Sequence, residues 1–286
     1  MTHPLATRLA SLAVMLGLFL AWEAFCRFFA INPFVLPKPS EVVMALITRF
    51  PALIPHAAQT MTTTMIGFLL GATVGVFLGV VTGISRVAYQ IVSPLLVSLS
   101  SIPKVALVPI FVMWFGAGSV PAVLTAFISS VFPVVVNVAT GVATTEPELE
   151  HFMKALQASR GEILWFVNLP RALPYFFASL KVAVTLAFVG TVISETVASN
   201  RGIGNVILLA ASNLDVSLVF AALVLLSALG IALYAVAAIL EKRFTAWAHR
   251  RDGEVFVEAG ERHVPTAKSH PNRRVGLLPS SECLRW

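Results

Sequence analysis

The chain has 286 residues, of which 57% are hydrophobic and only 12% charged, and it carries a net charge of +6. Ordinary soluble domains hold about 25% charged residues, so a water-soluble helical core is excluded and the solvent for most of this chain is lipid. The basic balance is explained by Lys and Arg on cytoplasmic loops rather than by nucleic acid, and the length leaves no room for a soluble catalytic domain beside a membrane domain.

Apolar runs of spanning length lie at Arg8–Ala30, Thr60–Ile84, Ile91–Phe115, Val120–Val142, Phe176–Ala198 and Val216–Leu240. They predict six transmembrane helices, an all-α integral membrane fold over residues 1–250. The first run continues through Trp22, Glu23 and Phe28–Phe29. It is too long for the apolar core of a signal peptide and no small-x-small site follows it, so an uncleaved span is expected. The second run carries Gly67, Gly71, Gly75, Gly79 and Gly83, one at every fourth position. On a helix these form a ridge without side chains, suited to close helix packing and secondarily to a sliding or dimer surface.

The third run is interrupted by Pro94, Pro103, Lys104 and Pro109, with Ser98, Ser100 and Ser101 just before the break. Broken helices at membrane depth are tolerated where backbone faces protein or a water-lined cavity. Ser101, Pro103, Lys104 and Pro109 are therefore candidates for a translocation path. In the fifth run Lys181 sits near the inner end, where snorkelling to the interface is expected. Glu195 sits near the outer end and is a candidate for lining the path or for a buried inter-helix contact. Gly202-Ile203-Gly204 reads as a turn before a short helix.

With the N-terminus in the cytoplasm, the inside carries Arg8, Arg86, Lys154, Arg160, Arg171, Lys242, Arg243, Arg250 and Arg251, nine residues against the four outside, Arg27, Lys38, Arg49 and Arg201. Both termini are then cytoplasmic. Residues 251–286 form a polar tail without a periodic apolar face, expected to be disordered.

The longest polar segment, Thr144–Tyr175, is cytoplasmic in this arrangement. Glu146-Pro147-Glu148 reads as a helix start, and a helix through about Ala158 places Leu149, Phe152, Met153 and Leu156 on one face. Ser159-Arg160-Gly161 offers a break or cap. A second helix then runs from Glu162 to Asn168, stopped by Leu169-Pro170.

No hydrolytic or redox constellation is present. The six His residues are scattered, no phosphate-binding Gly-Lys-Ser/Thr loop exists, and Cys26 and Cys283 give neither a disulfide framework nor a metal spacing. A non-enzymatic chain with no metal and no bound cofactor is expected.

The segment resembles the cytoplasmic loop of the permease subunits of binding-protein-dependent ABC importers. That family's loop carries Glu-Ala-Ala, a later Gly, and Ile-x-Leu-Pro. Aligned on Leu169-Pro170, this chain has Val167 at the Ile position, Gln157 at the Gly and His151-Phe152-Met153 at Glu-Ala-Ala, so its upstream half departs from the pattern. Leu36-Pro37-Lys38-Pro39-Ser40-Glu41-Val42, Ile102 to Pro109 with Met113-Trp114-Phe115-Gly116, and Glu195 with Gly202-Ile203-Gly204 extend the resemblance over most of residues 10–250. It points to the branch importing nitrate, sulfonates, taurine or thiamine-pyrimidine precursors.

The resemblance implies a bacterial inner-membrane protein, two permease subunits (a homodimer) forming the path, and an extracytoplasmic binding protein delivering substrate. It also implies a separate ATPase subunit that holds ATP and Mg. Glu148, Leu149, Phe152, Met153, Leu156, Gln157, Ala158, Ser159, Arg160, Leu169 and Pro170 would form the loop that docks in an ATPase groove. Gln157, unlike Gly, favours continued helix. A secondary transporter driven by an ion gradient and a non-transporting scaffold are the alternatives; the first would show paired broken helices in two repeated halves, and no internal repeat is visible.

Overall fold

The computed structural model describes residues 4–144 and 147–245, and no strand occurs among them. Glu146 and the tail, 251–286, lie outside the described residues. Helix α1 covers Pro4–Phe28 and helix α2 covers Pro39–Gly83. With 45 residues α2 is about 68 Å long, more than a bilayer's thickness. The expected second span, from Thr60, is thus only its second half. Pro39 occupies the first turn, where its missing N–H is not needed, and Glu41 accepts a bond from the Lys38 N–H at 3.3 Å. Pro51 and Pro55 lie inside α2 without ending it.

Helices α3 (Arg86–Ser100) and α4 (Val108–Phe115) are joined through a 3₁₀ turn at Lys104–Leu107. The two halves meet at 74°, so the third expected span is a sharply broken one. Helix α5 spans Ser119–Ala143, α6 Pro147–Ala155, α7 Arg160–Ile163, α8 Leu169–Ala198, α9 Ile203–Ser212 and α10 Val216–Phe244. By length and composition four described helices qualify as membrane spans, or five if the bent pair counts as one. The six expected from the sequence are therefore not all matched: α1 lies where the first was expected but is not among those four or five.

The bundle is built on α2, α5 and α8, with α9 and α10 packed alongside. The α2 glycines explain the closeness of the central pair. A Cβ on Gly67 would strike Ala126, on Gly71 Ser130, on Gly75 Val134, on Gly79 Val138 and on Gly83 Val142. The partners on α5 also recur every fourth residue, so two such ridges lie along one another over five turns. The ridge is used for packing within the chain. Lys181, for which snorkelling is expected, pairs with Glu241 near the C-terminal end of α10 at 2.5 Å, both side chains partly exposed.

Among the described residues, Ala30, Gln157 and Leu214 are the three non-glycine residues with positive φ, at 47°, 61° and 58°. Each stands just past a helix end in the same hydrogen-bonding motif. After α1 the bonds are Ala30 N–H to Arg27 C=O and Ile31 N–H to Cys26 C=O; after α6, Gln157 N–H to Lys154 C=O and Ala158 N–H to Met153 C=O; after α9, Leu214 N–H to Ala211 C=O and Asp215 N–H to Ala210 C=O. This is the Schellman cap, whose left-handed position usually holds glycine. Here three L-residues accept the strain, and Asp215 at once caps α10 through Leu218 N–H at 3.1 Å.

Candidate functional site

Three places in the fold hold the residues singled out from sequence. The first is the polar segment after α5. Helix α6 ends at Ala155, earlier than the expected Ala158, because Leu156 and Gln157 complete the Schellman cap. Gln157 therefore does not prolong the helix; its φ of 61° is the conformation a glycine would supply at that position. The expected break follows. Ser159 Oγ accepts from the Glu162 N–H at 3.2 Å, and Glu162 accepts from the Ser159 N–H at 2.7 Å, a reciprocal capping box that starts α7.

Phe152 and Leu156, four residues apart, are 61% and 63% exposed, whereas Leu149 and Met153 are half-buried. Glu148, Gln157, Ser159 and Arg160 are exposed and Ala158 is half-buried. Helix α6 packs on no other described helix to any substantial extent. The segment is thus a self-capped helical hairpin that holds two large apolar side chains in the open.

Leu169 and Pro170 do not close this segment as expected. They form the first turn of α8, and α7 runs into it through a π turn at Leu164–Asn168, where the Leu169 N–H reaches Leu164 C=O. The widened turn precedes Pro170, whose ring needs room on the turn before it. The result is one helical rod from Arg160 to Ala198, 39 residues long, connecting the exposed hairpin to the bundle interior.

The far end of that rod is the second place. Glu195 is 1% exposed. Thr60 Oγ1 donates to its Oε2 at 2.8 Å, the Gly204 N–H to the same oxygen at 3.2 Å, and Thr63 Oγ1 lies 3.5 Å from Oε1. The Ile203 N–H donates to Thr60 Oγ1 at 2.9 Å and the Gly202 N–H to His56 Nδ1 at 3.2 Å. Gly202 has φ 110°, and a Cβ there would overlap the Glu195 carboxyl. A buried carboxylate thus ties α2, α8 and the start of α9 into one knot; of the two roles expected for Glu195, this geometry is the inter-helix contact. His56, Thr60 and Thr63 were not singled out from the sequence. The polar cluster Thr60-Met61-Thr62-Thr63-Thr64 at the head of an apolar run was the available signal, because hydroxyls three or four residues apart share a helix face.

The third place is the break between α3 and α4. Pro103 stands at the corner, Ser101 caps α3 with its Oγ donating to Val97 C=O at 3.1 Å, and Pro109 lies in the first turn of α4. Lys104 Nζ donates to Ser100 C=O at 2.8 Å and lies 5.7 Å from the centroid of the Phe132 ring. No hydrogen bond or ion pair joins Glu195 to these residues among those described, so the path candidates separate into two regions.

The described residues form a helical bundle with four or five helices long and apolar enough to cross a membrane, the architecture of a polytopic membrane protein. Residues 71–246 match the family described as the binding-protein-dependent transport system inner membrane component, and the chain belongs to that family. Among its relatives, a probable ABC transporter permease protein of Haemophilus influenzae is 30% identical, the match covering 76% of this chain and 89% of that one. The formylaminopyrimidine transport permease protein ThiX of Halalkalibacterium halodurans is 30% identical over 81% of this chain and 93% of its own length. The riboflavin transport system permease protein RibX of Chloroflexus aurantiacus is 32% identical over 79% and 85%. In fold, the chain is similar to an inward-facing structure of the MetNI methionine ABC transporter, with a TM-score of 0.62 at 17% identity, covering 69% of this chain and 98% of that one.

Proposed function

We propose that this chain is the permease subunit of an ATP-driven importer that carries a small organic solute, of the sulfonate, taurine, nitrate or pyrimidine-precursor type, into a bacterial cytoplasm. Two copies form the path, an extracytoplasmic binding protein delivers the solute, and both termini lie inside. A separate ATPase subunit holds ATP and Mg and docks on residues 147–163. The observation that carries this reading is the exposed pair Phe152 and Leu156 on one side of α6, a helix whose Leu149 and Met153 are half-buried. Apolar anchors four residues apart are what a helix lays into a groove on a partner. The family's membership favours this reading over a gradient-driven carrier or a scaffold.

Mechanically, the rod from Arg160 to Ala198 gives the hairpin a stiff connection to the Glu195 knot. Movement of a docked hairpin with its ATPase is thereby passed along α8 to the outer end of the bundle. The reading is tested by co-expression with the cognate ATPase. Deleting 148–160 is expected to abolish co-purification of the ATPase while membrane insertion persists, and uptake into proteoliposomes by the wild-type complex is expected to be blocked by vanadate. Unchanged co-purification by the deletion overturns the docking assignment; vanadate-insensitive uptake overturns the importer.

A further inference from the structure

Lys104 is a cation with no anion beside it among the described residues. Its ammonium group has three donors. One is satisfied by Ser100 C=O and another faces the Phe132 ring, and no carboxylate pairs with it among the described residues. It lines a cavity of about 400 Å³ between α2, the α3–α4 break and α5, whose other walls include Val74, Leu78, Phe127, Val131 and Phe132. Every wall residue except Lys104 is apolar, and the volume is in the range of small-molecule pockets.

Depth decides what such a site accepts. Val131 is the central residue of α5, which runs from Ser119 to Ala143, so the Lys104–Phe132 contact lies midway along a span about 38 Å long. The hydrocarbon boundary is about 15 Å from the midplane, beyond the stem of a lysine, so snorkelling does not relieve the charge. A lipid phosphate does not reach this depth either. Ionisable groups at mid-span face the bundle interior or a water-filled path and find a counter-charge there. No counter-charge for Lys104 occurs among the described residues, while the apolar walls beside it are present.

We propose that this cavity is a solute subsite within the permease: Lys104 holds the charged head of a small organic anion, and Leu78, Phe127, Val131 and their neighbours hold its apolar body. The permease then selects for an amphipathic anion itself, in addition to any selection by a binding protein. The proposal rests on the importer reading for its physiological meaning, but its binding step does not.

The test uses the permease–ATPase complex in phosphatidylcholine nanodiscs, titrated calorimetrically with hexanesulfonate as probe and hexylammonium as the charge-reversed control. Wild type is expected to bind hexanesulfonate and not hexylammonium. Lys104→Met, similar in length and apolar, is expected to weaken binding by about tenfold or more, the loss of one charge-assisted contact. Lys104→Arg is expected to keep binding within a few-fold, and Leu78→Trp, which fills the cavity with Lys104 intact, to weaken it as well. Equal affinity in wild type and Lys104→Met, or no binding by wild type, overturns the subsite. Abolition of binding when phosphatidylglycerol replaces phosphatidylcholine assigns the cavity to lipid and overturns it too. ATPase co-purification is scored in the same preparations. Loss of probe binding with the complex intact strikes the subsite alone, and failure of the complex with probe binding intact strikes the importer reading alone.

Discussion

The α2–α5 seam and the α6–α7 hairpin treat side chains in opposite ways. Along the seam, side chains are removed: five glycines at every fourth position let α2 lie against α5 until a single added methyl would collide. On the hairpin, large apolar side chains are kept in the open among the described residues, with Phe152 and Leu156 more than half exposed. In lipid there is little hydrophobic drive to bring two helices together, so contact must come from close packing, and glycine supplies it. In water an uncovered apolar pair is unfavourable unless a partner covers it. The seam is therefore where the chain holds itself together, and the hairpin is where, on the proposed function, it holds a partner.

Breaking the seam should have the largest effect. Gly71→Leu drives a side chain into Ser130 and the Phe127 carbonyl, both on the backbone-close face of α5. The expected loss is several kcal/mol, more than the 1–3 kcal/mol of ordinary overpacking, because backbone is struck as well as the short Ser130 side chain. It is read as collapse of the monodisperse yield and of the thermal midpoint in detergent. The control is Gly17→Ala in α1, where an added Cβ meets nothing within 4 Å. That change should be neutral or stabilising by up to about 1 kcal/mol. Similar behaviour of the two variants would remove the distinction between a packing glycine and an incidental one.

The hairpin should answer in the opposite currency. Phe152→Ala with Leu156→Ala is expected to leave the thermal midpoint within a degree or two, since neither side chain is buried in the chain. Association with the ATPase should fall by about a hundredfold, as for the loss of two apolar anchors at an interface. Surface-immobilised ATPase and solubilised permease give both numbers from one preparation. A large drop in the melting temperature would mean that the pair packs within the chain after all.

The Glu195 knot tests whether the seam depends on the packing just beyond its first glycine. Thr60 and Thr63 stand on α2 just before the first seam glycine, Gly67. Glu195→Gln replaces an acceptor pair by one acceptor and one donor, and so turns an N–H toward a group that donated to the carboxylate. The expected cost is about 1–3 kcal/mol. Thr60→Val with Glu195→Gln should show coupling, the double variant losing less than the sum, because Thr60 bonds both Glu195 and the Ile203 N–H. Strict additivity would mean the knot is not a unit.

Much of this was legible before the fold was known. The spacing of the seam glycines, the break at Pro103 and the polar island all follow from patterns that depend only on residue type and period. The knot was half legible: Glu195 and Gly202-Ile203-Gly204 are near one another in sequence, but Thr60 and His56 reach them from 135 and 146 residues away, measured as Thr60 to Glu195 and His56 to Gly202. The start of α2 lies outside the apolar run that begins at Thr60, because Pro39–Gln59 is not continuously apolar; it contains Pro51 and Pro55, which a helix tolerates when its other bonds are kept. The end of α8 toward the hairpin is not legible because Leu169-Pro170 reads as a stop, and the π turn before it is not a pattern of residue types.

Gln157 gives the smallest and most discriminating test. Propensity argues that glutamine extends a helix, and the wish to satisfy end carbonyls argues for a Schellman cap. The structure resolves the conflict for the cap, at the expense of a left-handed residue worth roughly 1–2 kcal/mol of strain. Gln157→Gly relieves that strain but gives the unfolded segment more freedom, so the net gain should be at most about 1 kcal/mol. The whole-protein melting point will not register it. Hydrogen exchange at the Gln157 and Ala158 amides will, because both are bonded to carbonyls of α6. Protection of the position-157 and Ala158 amides should rise by up to about fivefold in the glycine variant, with ATPase association unchanged. If protection falls, the native turn is not left-handed at this position, and the glutamine is continuing the helix as its propensity alone would dictate.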